Sequence, residues 1–187
     1  MTRSLALALV HHPVLDRGGK VVTTAITNLD LHDISRSALT FGADALYVTH
    51  PIAAQRELAE RVRSHWTTGS GARRIPDRSR AIELLRVVDS LSSACAAHGA
   101  GQQVEVWATG ARVGARSLDY LSARQRLDAE GPPVMLVFGT GWGLSEELTP
   151  SATARLLPVE SARGDGYNHL SVRAAAAIIL DRLRGQR

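Results

Sequence analysis

Along this chain, short unbroken apolar runs alternate with longer stretches in which apolar residues recur every three or four positions. The runs Leu5–Val10, Ala45–Thr49, 104–108, 134–138 and 155–159 predict strands, and the periodic stretches between them predict helices. In 33–42, "DISRSALTFG" closes on Gly42, a residue suited to a helix C-terminus. In 53–66, "AAQRELAERVRSHW" places Leu58, Val62 and Trp66 on one face at spacings of four. Residues 78–99 continue the pattern as one more helix closing at Gly99, and "TTGSGARRIPDRSR", 67–80, predicts a long functional loop. Strands separated by helices imply an α/β fold: a mainly parallel sheet with helices on both faces.

The final stretch, "YNHLSVRAAAAIILDRLRG", carries the strongest helix signal. Asn168 is placed to cap it, Ala174 to Ala177 are strong helix formers, and Arg182 and Arg184 suit its negative C-terminal end. Leu170, Val172, Ile178, Ile179, Leu180 and Leu183 cover too much of the circumference for a surface helix. This helix is expected to be buried between the sheet and a second element, a partner subunit being one candidate.

Composition narrows the class. With 187 residues, 44% hydrophobic and 21% charged, the chain is expected to form one domain over 1–187 with a packed core, which excludes a disordered or membrane-spanning class. "MTRSLALALVHHP" reads as a core strand rather than a signal peptide, since its apolar run is brief and no small-residue cleavage site follows. No apolar stretch approaches the ~20 residues of a spanning helix, so no membrane partner is expected. The single cysteine, Cys95, excludes an intramolecular disulfide and a Cys-based zinc site, which makes a cytoplasmic setting the default. Among seven histidines there is no HExxH spacing, and no metal is expected. A net charge of +4 and a pI near 10.0 favour an anionic partner. Arg73, Arg74, Arg78, Arg80, Arg112 and Arg116 are candidate phosphate contacts, although basic loops are more often simply solvated.

The chemistry is concentrated in "VFGTGWGLSEE", 137–147, where Gly139, Gly141 and Gly143 follow an apolar run. Glycines after a strand let backbone N–H groups approach a ligand, as in dinucleotide and phosphate loops. A Rossmann unit even finds an acid downstream, Glu160, but the crossover at about 144–154 is too short and only one helix remains after it. No "GKS" or "GKT" follows, which excludes a P-loop. A turn with no ligand is the remaining reading of this stretch taken alone.

"FGTGWGL", "LLPVE" and "YNHLSVRAAAAIIL" in this order give strand, glycine turn, strand, polar loop and helix. That series resembles the C-terminal motifs of the SPOUT (trefoil-knot) RNA methyltransferases. "TNLDLHDISRSALTFGADALYVTHP" is similar to the family's first motif, and "VEVWATGAR" to the strand and loop completing the cofactor pocket. The resemblance covers nearly the whole chain, Leu5 to Leu183, and is nearest to stand-alone bacterial proteins likened to the tRNA guanine-N1 methyltransferase catalytic domain.

It implies a C-terminal trefoil knot, a homodimer, S-adenosylmethionine as methyl donor and tRNA or rRNA as substrate. The donor would be held by Phe138, Gly139, Thr140, Gly141, Trp142, Gly143 and Leu144 on one wall and Thr109 and Gly110 on a second. Leu157, Val159, Asn168, His169, Leu170, Ser171 and Val172 would form the third. By the same resemblance Asp165 is the candidate catalytic base, and Arg36 a second catalytic candidate that neutralises a phosphate or developing charge; a solvated turn and a surface ion pair are their plain alternatives. Ribose 2′-O-methylating members carry an asparagine in the first motif and a glutamate in the glycine loop. Aligned on Arg36, this chain has Thr27 and Asp30 at the asparagine positions and lacks the glutamate, so base methylation is favoured over ribose methylation. An ordinary open α/β nucleotide-binding enzyme and a catalytically inactive RNA-binding module on the same fold are the competing readings.

Overall fold

The computed structural model describes residues 2–113, 117–148 and 152–186. Seven strands form one sheet: β1 (Leu5–Val10), β4 (Ala45–Thr49), β5 (Leu85–Val88), β6 (Glu105–Ala108), β7 (Ser117–Leu118), β8 (Val134–Gly139) and β9 (Ala154–Leu156). Their order is β5-β4-β1-β8-β6-β9-β7, and every pairing is parallel. A two-stranded antiparallel hairpin, β2 (Val14–Leu15) and β3 (Val21–Val22), stands apart from the sheet. The strand expected at 155–159 ends early at Leu156, shortly before Pro158, which has no N–H to give a ladder.

Strand β1 is buried along its entire length because it lies between β4 and β8 with both faces covered. Leu5, Leu7 and Leu9 face one layer, made by α1 (Asn28–Thr40), α2 (Ala53–Thr67), α6 (Tyr120–Asp128) and α7 (Val172–Arg184). Ala6, Ala8 and Val10 face the other, where α5 (Leu91–Gly99) packs with Val14 and Val22 of the hairpin. The two-residue period of the strand separates the two cores.

Further expectations are corrected. Residues 67–80 are not a loop: α3 (Ser70–Arg74) and α4 (Pro76–Ile82) occupy them, with Pro76 at the first helical position, where its missing N–H is harmless. The helix expected over 78–99 is three elements, α4, β5 and α5. Leu85–Val88 pairs with β4, and Ser90 starts α5 by accepting a hydrogen bond from the Ser93 N–H at 3.2 Å. The last helix is capped by Ser171, whose Oγ accepts from the Ala174 N–H at 3.2 Å, and not by Asn168. Only one face of α7 is fully buried, through Ala176, Ile179, Leu180 and Leu183; it packs against α1, α6 and β8, while Ile178 and Val172 are half-buried and Leu170 is exposed.

Beyond the end of β1 lies His11, fully buried beside β4. Its Nδ1 sits 3.3 Å from the Thr49 carbonyl oxygen, its ring centroid is 5.5 Å from that of His50, and its Nε2 has no partner among the described residues. Burial, and then the neighbouring His50, pull its pKa down to about 4. The unfolded chain titrates near the ordinary 6.5, so from pH 6.5 down to about 4 it takes up a proton that the native state refuses. Stability is therefore greatest above pH 6.5 and falls on acidification through this window, by up to about 3 kcal/mol at ~1.4 kcal/mol per pH unit. Urea unfolding at intervals from pH 7.5 to 4.5 should show this slope, and His11→Gln should reduce it, the remainder coming from His32, His50 and His98, which burial also holds below the ordinary value; equal slopes in the two proteins would show that His11 does not contribute.

Candidate functional site

A parallel sheet brings the C-terminal ends of all its strands to one edge, and the segments that follow β1, β6, β8 and β9 meet there around a cleft of about 690 Å³. Phe138, at the end of β8, and Ile179 of α7 are buried apolar parts of its lining. Around them stand the glycine turn after β8, residues 109–112 after β6, a polar segment from Gly166 to Val172, and Thr24 to Asp30 leading into α1.

The glycine turn is built by close approach of backbone. A Cβ on Gly139 would lie 2.6 Å from the Leu144 nitrogen, and one on Gly141, where φ is +60°, would lie 2.8 Å from the Leu15 carbonyl oxygen. The hairpin clamps this turn: the Trp142 N–H donates to the Leu15 carbonyl and the Leu15 N–H to the Gly143 carbonyl, both at 2.9 Å. The Thr140 N–H and hydroxyl both donate to the Val10 carbonyl at 3.1 Å, and the Thr140 hydroxyl meets that of Thr24. Two of the glycines expected to admit a ligand are thus required by the packing of the turn itself.

Charge enters the cleft from two helix starts. Thr27 caps α1 and donates to Asp30 Oδ2 at 2.7 Å, while Arg173 in the first turn of α7 donates to Asp30 Oδ1 at 2.7 Å and lies 3.4 Å from Asp33. An arginine in the first turn opposes the helix dipole, and the two aspartates compensate it.

Every residue expected to hold the cofactor lines this cleft except Leu144 and Leu157. Leu144 bridges to Val14 and packs in the second core. The backbone of Leu157 is taken up elsewhere, its N–H by the Leu118 carbonyl and its carbonyl by the Tyr120 hydroxyl. Asp165 lies outside the lining but next to Gly166, which is part of it. It is exposed, accepts from Arg163 Nε at 2.7 Å and from the Tyr167 N–H at 3.1 Å, and these bonds hold its carboxyl below the usual range. Arg36 is on the exposed side of α1 and also lies outside the lining.

Of the arginines considered for phosphate, Arg112 lines the cleft. Arg73, Arg74 and Arg80 are exposed on α3 and α4, Arg78 lies 4.8 Å over the Trp66 ring, and Arg116 falls outside the described residues. Sequence reasoning missed Thr24, Ala25, Ala111, Gly166, Arg173, Ala175 and Ile179 in the lining, and used Thr27 and Asp30 only for alignment.

Residues 4–185 match the family described as SAM-dependent RNA methyltransferase. The chain belongs to that family. It is 45% identical over 185 residues to a tRNA (guanine-N(1)-)-methyltransferase of Nitratidesulfovibrio vulgaris, an alignment covering 98% of this chain and 42% of that protein. It is 34% identical to an uncharacterized protein of Aquifex aeolicus, over 98% of this chain and 89% of that one. The chain thus spans under half the length of the relative that carries the guanine-N1 name.

Among solved structures it superposes on TrmJ from Z. mobilis ZM4 with a TM-score of 0.64 at 16% identity, covering all of this chain and 70% of that one. The SpoU methyltransferase AviRb from Streptomyces viridochromogenes, solved with AdoMet, gives 0.59 at 17% identity, covering 98% and 57%. The fold is that of the SPOUT methyltransferases.

The family is described as SAM-dependent, and the cleft suits S-adenosylmethionine chemically. Phe138, Val159 and Ile179 offer apolar surface for an adenine, Thr109 and the turn backbone offer hydrogen-bonding groups for a ribose, and Asp30 with Arg112 supplies both signs of charge for a ligand that carries both.

The construction of the turn gives a paired prediction. Gly139→Ala forces its Cβ against backbone and should lower the melting temperature by several degrees, corresponding to ~1–3 kcal/mol of overpacking. Gly110→Ala meets nothing within 4 Å and should leave it almost unchanged. Differential scanning calorimetry of the two variants checks both outcomes.

Proposed function

We propose that this methyltransferase modifies a base nitrogen of tRNA or rRNA, guanine-N1-like in chemistry, as a cytoplasmic homodimer in which residues 1–187 form one catalytic domain. The observation that carries this reading is the convergence of the glycine turn, the Thr109–Gly110 loop and the 166–172 segment on one cleft in a chain of an RNA methyltransferase family. The guanine-N1 relatives at 44% and 45% identity support the substrate class. A base acceptor is supported by Thr27 and Asp30, which stand in the cleft lining where ribose methylating members have asparagine. A C-terminal knot is supported by the strand order, since β9, the last strand in the sequence, lies between the earlier β6 and β7. The exposed Leu29 at the start of α1 and Leu170 before α7 offer apolar surface to a second subunit.

When bound, S-adenosylmethionine supplies a methyl group on a sulfonium, which needs little activation but demands an acceptor in line and free of its proton. The buried lining, Phe138, Thr109, Thr140 and Ile179, holds the donor and excludes water. Asp165 is the proposed proton acceptor. As the nitrogen–carbon bond forms and the carbon–sulfur bond breaks, the acceptor's N–H proton passes to the Asp165 carboxylate. Arg163 suppresses its basicity in the free enzyme, and an RNA phosphate that draws Arg163 away would release it. Arg36, Arg73, Arg74, Arg80 and Arg112 are the proposed phosphate contacts, with Arg36 as the alternative for charge neutralisation at the acceptor.

Mass spectrometry of modified nucleosides in RNA from wild-type and deletion cells tests the activity, and loss of a methylated base is the expected result; loss of a 2′-O-methyl nucleoside would return ribose methylation. Asp165→Asn should retain S-adenosylmethionine affinity and lose ~10²–10⁴ in single-turnover transfer. Because Arg163 holds the Asp165 carboxyl low, Arg163→Ala should raise that pKa and move the acid limb of the pH–rate profile of kcat/KM, which reports the free enzyme, to higher pH. An unmoved limb would separate Asp165 from the proton transfer. In sedimentation, the wild type should run as a dimer at micromolar concentration and Leu29→Glu as a monomer.

A further inference from the structure

The cleft is graded from a dry interior to a wet mouth, and the mouth is aromatic. Phe138 and Ile179 are 2% and 4% exposed, whereas Trp142 and Tyr167 are 51% and 60% exposed. The His169 ring lies between these two, edge-to-face with Trp142 at 4.8 Å and tilted against Tyr167 at 5.8 Å. Trp142 and His169 themselves line the cleft, and Tyr167 is flanked by the lining residues Gly166 and Asn168. The main chain of Trp142 is fixed by its bond to the Leu15 carbonyl between two glycines of positive φ, so its ring is presented from a rigid turn. Among the described residues neither the Trp142 indole N–H nor the Tyr167 hydroxyl finds a protein partner.

We propose that the exposed rings of Trp142 and Tyr167, braced by the His169 ring set between them, offer a stacking face to the acceptor nucleobase of the RNA, rather than forming part of the methyl donor's cradle. This inference rests on the RNA methyl-transfer reading above. Exposed rings suit a flat group that arrives from solvent and leaves the rest of its molecule outside, as one unstacked base of a long strand does. Two cationic side chains are available to the phosphates of such a strand: Arg112 lines the cleft, and Arg163 is exposed and paired with Asp165, next to Gly166 of the lining. The buried apolar surface beneath is left for the donor's adenine. The three rings thus fix the acceptor between solvent and the methyl group, next to Asp165.

The test uses Trp142 as its own reporter. Trp107 is fully buried and Trp66 half-buried, so a fluorescence change lost in Trp142→Phe belongs to Trp142. With the donor site saturated by S-adenosylhomocysteine, a mixed-sequence single-stranded RNA decamer should quench this emission. Trp142→Ala and Tyr167→Ala should each weaken decamer binding ~5–150-fold, Trp142→Phe and Tyr167→Phe should restore most of it, and the calorimetric affinity for S-adenosylhomocysteine should stay at the wild-type value. Loss of S-adenosylhomocysteine affinity in the alanine variants would return the rings to the donor cradle. Dissociation of a dimer by the same variants, with unchanged RNA binding per subunit, would make the surface an interface between subunits. Wild-type protein that binds neither S-adenosylhomocysteine nor RNA would overturn the methyl-transfer reading itself, whereas wild type that binds both, with alanine variants that match it, overturns the platform alone.

Discussion

The parallel pairing of β1 with β8, Leu5 opposite Val134 through Val10 opposite Gly139, is the constraint on which the rest of the molecule depends. It sets two strand ends side by side, so that the Val10 carbonyl takes both the N–H and the hydroxyl of Thr140. From this point one chain segment leaves toward the hairpin and the other enters the glycine turn, and the two meet again through Leu15, Trp142 and Gly143. A slip of one residue would exchange the leucine and alanine faces of β1 and carry Thr140 away from its anchor. The site is precise because its turn is tied to the sheet's most buried strand.

Electrostatics joins the remaining walls to this frame. Asp30 is nearly buried and needs a partner; Arg173 reaches it from α7, so the starts of α1 and α7 are held together at the cleft. Breaking such a pair by removing one member leaves a charge with no compensation, which is why the pair constrains position more than it adds stability. The polar segment before α7 therefore approaches the glycine turn from a fixed direction.

Most of the sheet could be read from residue order, whereas the walls of the cleft were implied by the resemblance to the SPOUT motifs. Leu5–Val10 and Ala45–Thr49 are continuous apolar runs that a two-sided parallel sheet requires. Strand β5 escaped because Leu84, Leu85, Val87 and Val88 fit a helical period when joined to the flanking helices; the paired β-branched residues followed by Asp89 and Ser90 were the better guide. The hairpin and Arg173 were hidden for a different reason. Their roles arise from contacts across more than a hundred residues, Thr24 with Thr140 and Arg173 with Asp30, which no local pattern carries. Leu144 lies off the cleft lining because a residue that ends a glycine turn can face either side of the sheet, and here the bridge to Val14 decides.

The segment between β9 and α7 is fastened at its two ends only. Leu157 is bonded to Leu118 and Tyr120, and Ser171 opens the last helix, while residues 160–167 are all exposed. No core contact passes through its middle, so insertions or substitutions there leave the sheet and the turn intact. Related chains can diverge in the length and sequence of this stretch at little structural penalty, because the sheet and the glycine turn are inherited without it.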